Sequence, residues 1–119
     1  MREIKFRTYE DGVMLSSTFT ESVMALRGWK QHENYILMQY TGLKDKNGKE
    51  VYEGDILKNP NDSFGRNSLV SWSGAGFWSE PIHPPLRQFG RHLVQDDVST
   101  WEVIGNIYEN PGLLHSEVV

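Results

Sequence analysis

The sequence predicts a mainly β fold (β-rich α+β): a small twisted antiparallel sheet or a partly open SH3-like barrel, with at most one short helix. Three observations carry that prediction. Short alternating runs are separated by turn signals roughly every eight to twelve residues, the spacing of a small barrel or sandwich. Eleven glycines and a 12% aromatic content suit a turn-rich β domain better than a helical bundle. The segment from Leu37 to Leu57 reads as strand, tight turn and strand, and its Gly54-Asp55-Ile56 step is similar to strand starts common in SH3-like barrels.

Ile4-Lys5-Phe6-Arg7-Thr8-Tyr9 alternates apolar and polar residues, which predicts a half-buried strand with Ile4 and Phe6 inward. Glu10-Asp11-Gly12 is a turn, and Val13-Met14-Leu15 begins a second strand. Thr20 to Leu26 is the helical candidate, with Thr20 as cap, Glu21 in the first turn, Val23, Met24 and Leu26 on one face, and Gly28 ending it. A loop with one helical turn fits this short segment nearly as well. Beyond the hairpin, Ile56 and Leu57 form a strand stopped by Asn59-Pro60-Asn61-Asp62. Ser68 to Trp72 is the next strand, and Ser73-Gly74-Ala75-Gly76 turns it into Phe77-Trp78. Pro81, Pro84 and Pro85 oppose ladder pairing, so an irregular Pro-rich excursion is expected at about 80–92. Trp101 to Tyr108 is the final strand, with a bulge or close backbone approach where alternation is lost near Gly105. Asn110-Pro111-Gly112 stops it, and the remainder reads as a tail.

Two registers compete in the hairpin. A two-residue type I′ turn at Asn47-Gly48 sets Lys46 opposite Lys49 and Asp45 opposite Glu50, two like-charge pairs that oppose pairing. A three-residue loop, Lys46-Asn47-Gly48, with Gly48 left-handed as a bulge, instead sets Asp45 against Lys49, Lys44 against Glu50 and Leu43 against Val51. Each of those pairs contributes roughly 0.2–1 kcal/mol, and Asp favours the first position of a type I turn. The bulged register is therefore predicted, and with it a destabilising Gly48→Val change, because a β-branched residue resists positive φ.

The 119 residues amount to one domain, 1–119, long enough to bury a modest core. With no cysteine, neither disulfides nor thiolate chemistry is available. The start of the chain has no apolar run of the signal-peptide kind, and no segment is long enough for a membrane span. A net charge of −4 and a pI near 5.5 provide no general attraction to phosphate backbones.

Two blocks together resemble the YopX family of bacteriophage and prophage proteins. The first runs from Met38 through Gly42, Leu43, Asp45, Gly48, Val51, Gly54 and Asp55 to Ile56, and the second is Glu102-Val103-Ile104-Gly105-Asn106-Ile107-Tyr108-Glu109-Asn110-Pro111. The opening Met1-Arg2-Glu3-Ile4-Lys5-Phe6-Arg7 also matches how such proteins begin, whereas 60–100 matches only loosely. The resemblance implies a phage or prophage origin, a host bacterial cytoplasmic location and a mainly β fold. It carries over no catalytic residue. The matched positions read as structure: Gly42, Gly48, Gly54 and Gly105 as backbone specialists, Leu43, Val51, Ile56 and Ile104 as core, Asp45 at the turn and Asp55 fixing a strand entry by accepting amide hydrogen bonds.

No set of residues points to a reaction. Asp45, Glu50, Glu53 and Asp55 cluster in sequence, but in the bulged register Asp45 and Glu50 have lysine partners. His32, His83, His92 and His115 lack metal-site spacing, Ser71, Ser73 and Ser79 lack the GxSxG pattern, and Gly74-Ala75-Gly76 is a turn. No catalytic residue, metal site or cofactor is predicted. The candidate binding residues are Trp78, Arg87, Phe89, Arg91 and His92, aromatics interleaved with bases in and beside the Pro-rich stretch. Trp72 and Phe77 are expected in the core. The predicted function is therefore a small binding domain, a protein-interaction or self-associating module. The alternative is a nucleic-acid-binding accessory protein, and a small nuclease or other hydrolase is the least supported. No membrane partner is expected.

Overall fold

The chain folds as two antiparallel β-sheets, one of which curls into a half-barrel, so the mainly β prediction holds. The computed structural model describes residues 4–18, 20–21, 35–62, 66–72, 76–82 and 91–114. The first sheet is built from β1 (Phe6–Glu10), β2 (Val13–Leu15), β3 (Tyr35–Lys44) and β4 (Glu50–Tyr52), in the order β2-β1-β3-β4. The second contains β5 (Asp55–Lys58), β6 (Asn67–Trp72), β7 (Phe77–Pro81), β8 (Arg91–His92) and β9 (Glu102–Asn106), in the order β8-β7-β6-β5-β9. A helical turn, α1 (Gln95–Val98), precedes β9, and a 3₁₀ turn at Pro111–Leu114 follows it, spanning the expected stop at Pro111-Gly112 and the start of the expected tail.

β1 and β2 are joined by a two-residue turn in which Asp11 and Gly12 both take positive φ, 50° and 83°. The second hairpin adopts the bulged register. Lys44 pairs with Glu50, Gly48 donates to the Asp45 carbonyl at 3.0 Å, and Gly48 alone in the loop has positive φ, at 79°. A Cβ on Gly48 would meet nothing within 4 Å, so the cost of Gly48→Val is conformational. The expected loss is about 1–2 kcal/mol, read as a lower urea midpoint with an unchanged slope. An unchanged midpoint would contradict the left-handed requirement.

Register shifts once more below this loop. Tyr40 pairs with Tyr52 and Lys44 with Glu50, so Thr41, Gly42 and Leu43 stand opposite Val51 alone. Gly42 absorbs the bulge at φ 86°, and Thr41 Oγ1 satisfies the disturbed backbone, donating to the Val51 carbonyl at 2.8 Å and accepting the Leu43 N–H at 3.1 Å. The simple Leu43–Val51 pair expected from the sequence is replaced by this bulge. Gly105 marks a second bulge: Ile56 pairs with Gly105 and Leu57 with Val103, leaving Ile104 as the extra residue. A Cβ on Gly105 would lie 2.6 Å from Asn110 Oδ1, which explains glycine there.

The core lies between β4, the second sheet and α1. Val51, Leu57, Val70, Val98 and Trp101 are buried there, with Leu43, Leu93 and Val103 packed against them. Each such buried side chain is worth about 1.5–3 kcal/mol of transfer free energy. Several sequence expectations are corrected. Ile4 is 68% exposed because β1 begins only at Phe6, leaving Ile4 outside the paired strand. Thr20 is not a cap: its N–H donates to the Ser16 carbonyl at 2.8 Å, an intrahelical bond that places it inside the turn. The expected helical positions Val23, Met24, Leu26 and Gly28 lie outside the described residues. The last strand ends at Asn106, whose Oδ1 accepts the Tyr108 and Glu109 N–H groups at 3.0 and 2.9 Å and starts a turn. Of the irregular stretch expected at about 80–92, both ends are paired strand and 83–90 lie outside the described residues. Pro81 closes β7 opposite Ser68, its missing N–H tolerated at a strand end, and the chain pairs again at Arg91.

Candidate functional site

The carboxylates that cluster in sequence do not converge in space. Glu53 turns the chain from β4 into β5, its Oε1 accepting the Gln39 N–H at 2.9 Å. Glu50 pairs with Lys5, just ahead of β1, and accepts from the Tyr52 hydroxyl at 3.3 Å, so its ion pair is not with Lys44 as the register alone implies. Among the described residues no group of three or more His, Asp or Glu is placed to hold a metal ion.

Asp55 is fully buried at the start of β5. Its Oδ2 accepts the Tyr52 N–H at 2.8 Å, the strand-entry bond expected from sequence, and its Oδ1 accepts from Arg7 Nη2 at 2.6 Å. Arg7 comes from β1 of the other sheet, lies over the Tyr52 ring at 4.5 Å from the centroid, and is only 11% exposed. Burial pushes the Asp55 carboxyl up, and the Arg7 guanidinium and the Tyr52 amide offset this only in part. Burial likewise raises the Tyr52 and Tyr108 hydroxyls. Tyr108 stacks on Tyr9 at 5.4 Å, beside the same junction. With no exposed carboxylate surface, Asp55 serves as a clasp between sheets.

Asp45 is a second buried acid with a different task. Its Oδ1 accepts the N–H groups of Asn47 and Lys49 at 2.8 and 2.9 Å, and its Oδ2 accepts that of Val103 in β9 at 2.9 Å. Burial raises its pKa, but the Val103, Lys49 and Asn47 amides and the Lys49 charge together hold it below the ordinary value. The same hairpin end is fastened twice more. Lys46 N–H donates to the Trp101 carbonyl at 2.9 Å, and the Gln95 side-chain amide pairs both ways with the Lys44 backbone, at 3.2 and 2.8 Å. The cross-strand Asp45–Lys49 charge pair is thus secondary to a joint between hairpin, α1 and β9.

The aromatic–basic residues divide between the two sides of the second sheet. Trp78 pairs with His92 across β7 and β8, and their rings meet edge-on at 4.9 Å. His92 is exposed and Trp78 half-buried. Arg91, one residue earlier and so on the opposite face, lies 3.7 Å from Asp97 of α1 and is largely exposed. Trp72 is 51% exposed, contrary to its expected place in the core. It ends β6 beyond the layer filled by Val70 and leans edge-on against buried Phe77 at 5.0 Å, on the face away from Trp78. Buried Trp101 fills the core instead. Arg87 and Phe89 lie outside the described residues. Sequence reading missed Arg7, Gln95 and Val103, although an arginine within an alternating strand was a visible signal for Arg7.

Comparisons with known proteins agree with this architecture. A family model described as YopX protein matches residues 3–115. A crystal structure of protein EF1440 from Enterococcus faecalis is similar with a TM-score of 0.58 and 24% identity, over 97% of this chain and 100% of that one. This likeness concerns the fold. No curated protein matches the chain.

Proposed function

The chain belongs to the YopX family, and from that premise we propose that it acts by binding, as a protein-interaction or self-associating domain rather than an enzyme. The observation that carries this reading is the Trp78–His92 pair, an edge-on aromatic contact at 4.9 Å presented by the short outer strand β8. Aromatic side chains offer large contact area at low entropic cost and are enriched at interface centres. Trp72, exposed at the end of β6 on the opposite face of the sheet, is a separate surface and not part of this one. A phage or prophage origin and a host bacterial cytoplasmic setting belong to the same proposal.

The nucleic-acid alternative has less support at this edge. Arg91 sits against Asp97, and Asp96 adds a further negative charge on α1. Phosphate contacts gain most where cations are unopposed.

The test compares wild type with Trp78→Ala and His92→Ala by light scattering across a concentration series, and by crosslinking to co-purifying host or phage protein. Wild type should form a complex, and Trp78→Ala should weaken it by about 2 kcal/mol, the size of an interface hot spot. Unchanged mass and crosslinking in both variants would remove this edge as the interface. Nucleic-acid binding at low salt that weakens steeply with added salt would favour the alternative.

A further inference from the structure

Asn47 and Gly48 form the exposed tip of the β3–β4 hairpin. Of the seven asparagines in the chain, only Asn47 precedes glycine. Asn59 and Asn110 precede proline, whose nitrogen has no N–H, and Asn106 precedes β-branched Ile107. A Cβ built on Gly48 would meet nothing within 4 Å, so no side chain crowds the turn at this α-carbon. Glycine also gives the backbone the freedom that ring closure requires.

We propose that Asn47 is a site of spontaneous deamidation, and that the product loosens the joint built by Asp45. The Gly48 nitrogen gives its proton to base and attacks Asn47 Cγ. The Cγ–Nδ2 bond breaks, Nδ2 takes up a proton and leaves as ammonia, and a five-membered imide closes. Water opens the imide at either carbonyl, giving aspartate or isoaspartate. One water is consumed and one ammonia released, with no change of oxidation state. In the folded chain the Gly48 N–H donates to the Asp45 carbonyl at 3.0 Å, so the reaction proceeds through openings of the turn.

The product meets a site already occupied by charge. Asp45 Oδ1 holds the Asn47 and Lys49 N–H groups at 2.8 and 2.9 Å, and a second carboxylate at position 47 repels it. Isoaspartate also lengthens the main chain by one carbon, which shifts Gly48 from its φ of 79° and breaks the loop geometry that presents both amides.

Purified protein is incubated in mildly alkaline buffer, folded or in denaturant, and its acidic isoforms are separated by ion exchange and mapped by peptide mass. The first acidic isoform should map to Asn47 and accumulate severalfold faster than change at Asn61 or Asn67. It should form more slowly in the folded chain than in denaturant, unfold at a lower urea concentration than unmodified protein, and be missing from Asn47→Ser. The proposal is overturned if the first isoform maps elsewhere, persists in Asn47→Ser, or unfolds at the unmodified midpoint.

Discussion

Arg7→Ala is expected to cost about 3–5 kcal/mol, because it leaves the fully buried Asp55 carboxylate without its cation. Small domains have only about 5–15 kcal/mol in total, so the variant should lie close to its unfolding threshold. Two features make Arg7 matter. Its Nη2 reaches Asp55 at 2.6 Å from the other sheet, and its guanidinium covers the Tyr52 ring. Removing both partners is a different perturbation. Arg7→Met combined with Asp55→Leu should recover most of the loss, since well-packed apolar replacements of buried ion pairs are often neutral. Urea unfolding of the two single variants and the pair gives the coupling directly. A cost under about 1 kcal/mol for Arg7→Ala would show that the clasp contributes little beyond an exposed ion pair.

Asp45→Asn is the second large effect expected, a loss of about 2 kcal/mol. One carboxylate accepts three backbone N–H groups, whereas an asparagine has one acceptor oxygen and turns an N–H₂ toward at least one of those donors. The effect has a pH signature. The folded-state pKa of Asp45 lies below the ordinary 3.8, so its stabilisation is fully present above that value and is lost as pH falls through the folded-state pKa. Asp55 shifts the opposite way, so its own share of stability declines as pH rises from the ordinary value through its raised one. Comparing Asp45→Asn with wild type across acid pH cancels the Asp55 part. The stability gap between them should shrink as pH falls below 3.8 and stay constant above about pH 5. A gap independent of pH throughout would mean that the Asp45 charge contributes nothing.

Much of the second hairpin is legible in the sequence, because its determinants are local. Like-charge pairs disfavour the type I′ register, Asp45 suits the start of a type I turn, and Gly48 tolerates the φ of 79° that the bulge requires. The bulge or close approach expected near Gly105 is present as a bulge opposite Ile56–Leu57, whereas Gly42 was readable only as a special backbone position and not as a bulge opposite Val51, since the partner strand and its register decide where a bulge falls. Asp55 was readable as a strand-entry acceptor because the Tyr52 amide is three residues away, while Arg7 is 48 residues away and belongs to another sheet. Of the aromatic edge, residue types were visible and facing was not. Trp72 and Trp78 point to opposite sides, so one stretch of sequence does not make one patch.

By itself, the sequence determined the β class, the turns and the hairpin register, all set by backbone preferences and pairs a few residues apart. The tertiary structure alone decided how the two sheets join, through Arg7 and Asp55, and how Asp45 ties the hairpin to β9. Those choices depend on which groups lose water together, and burial belongs to the packed chain rather than to any segment of it.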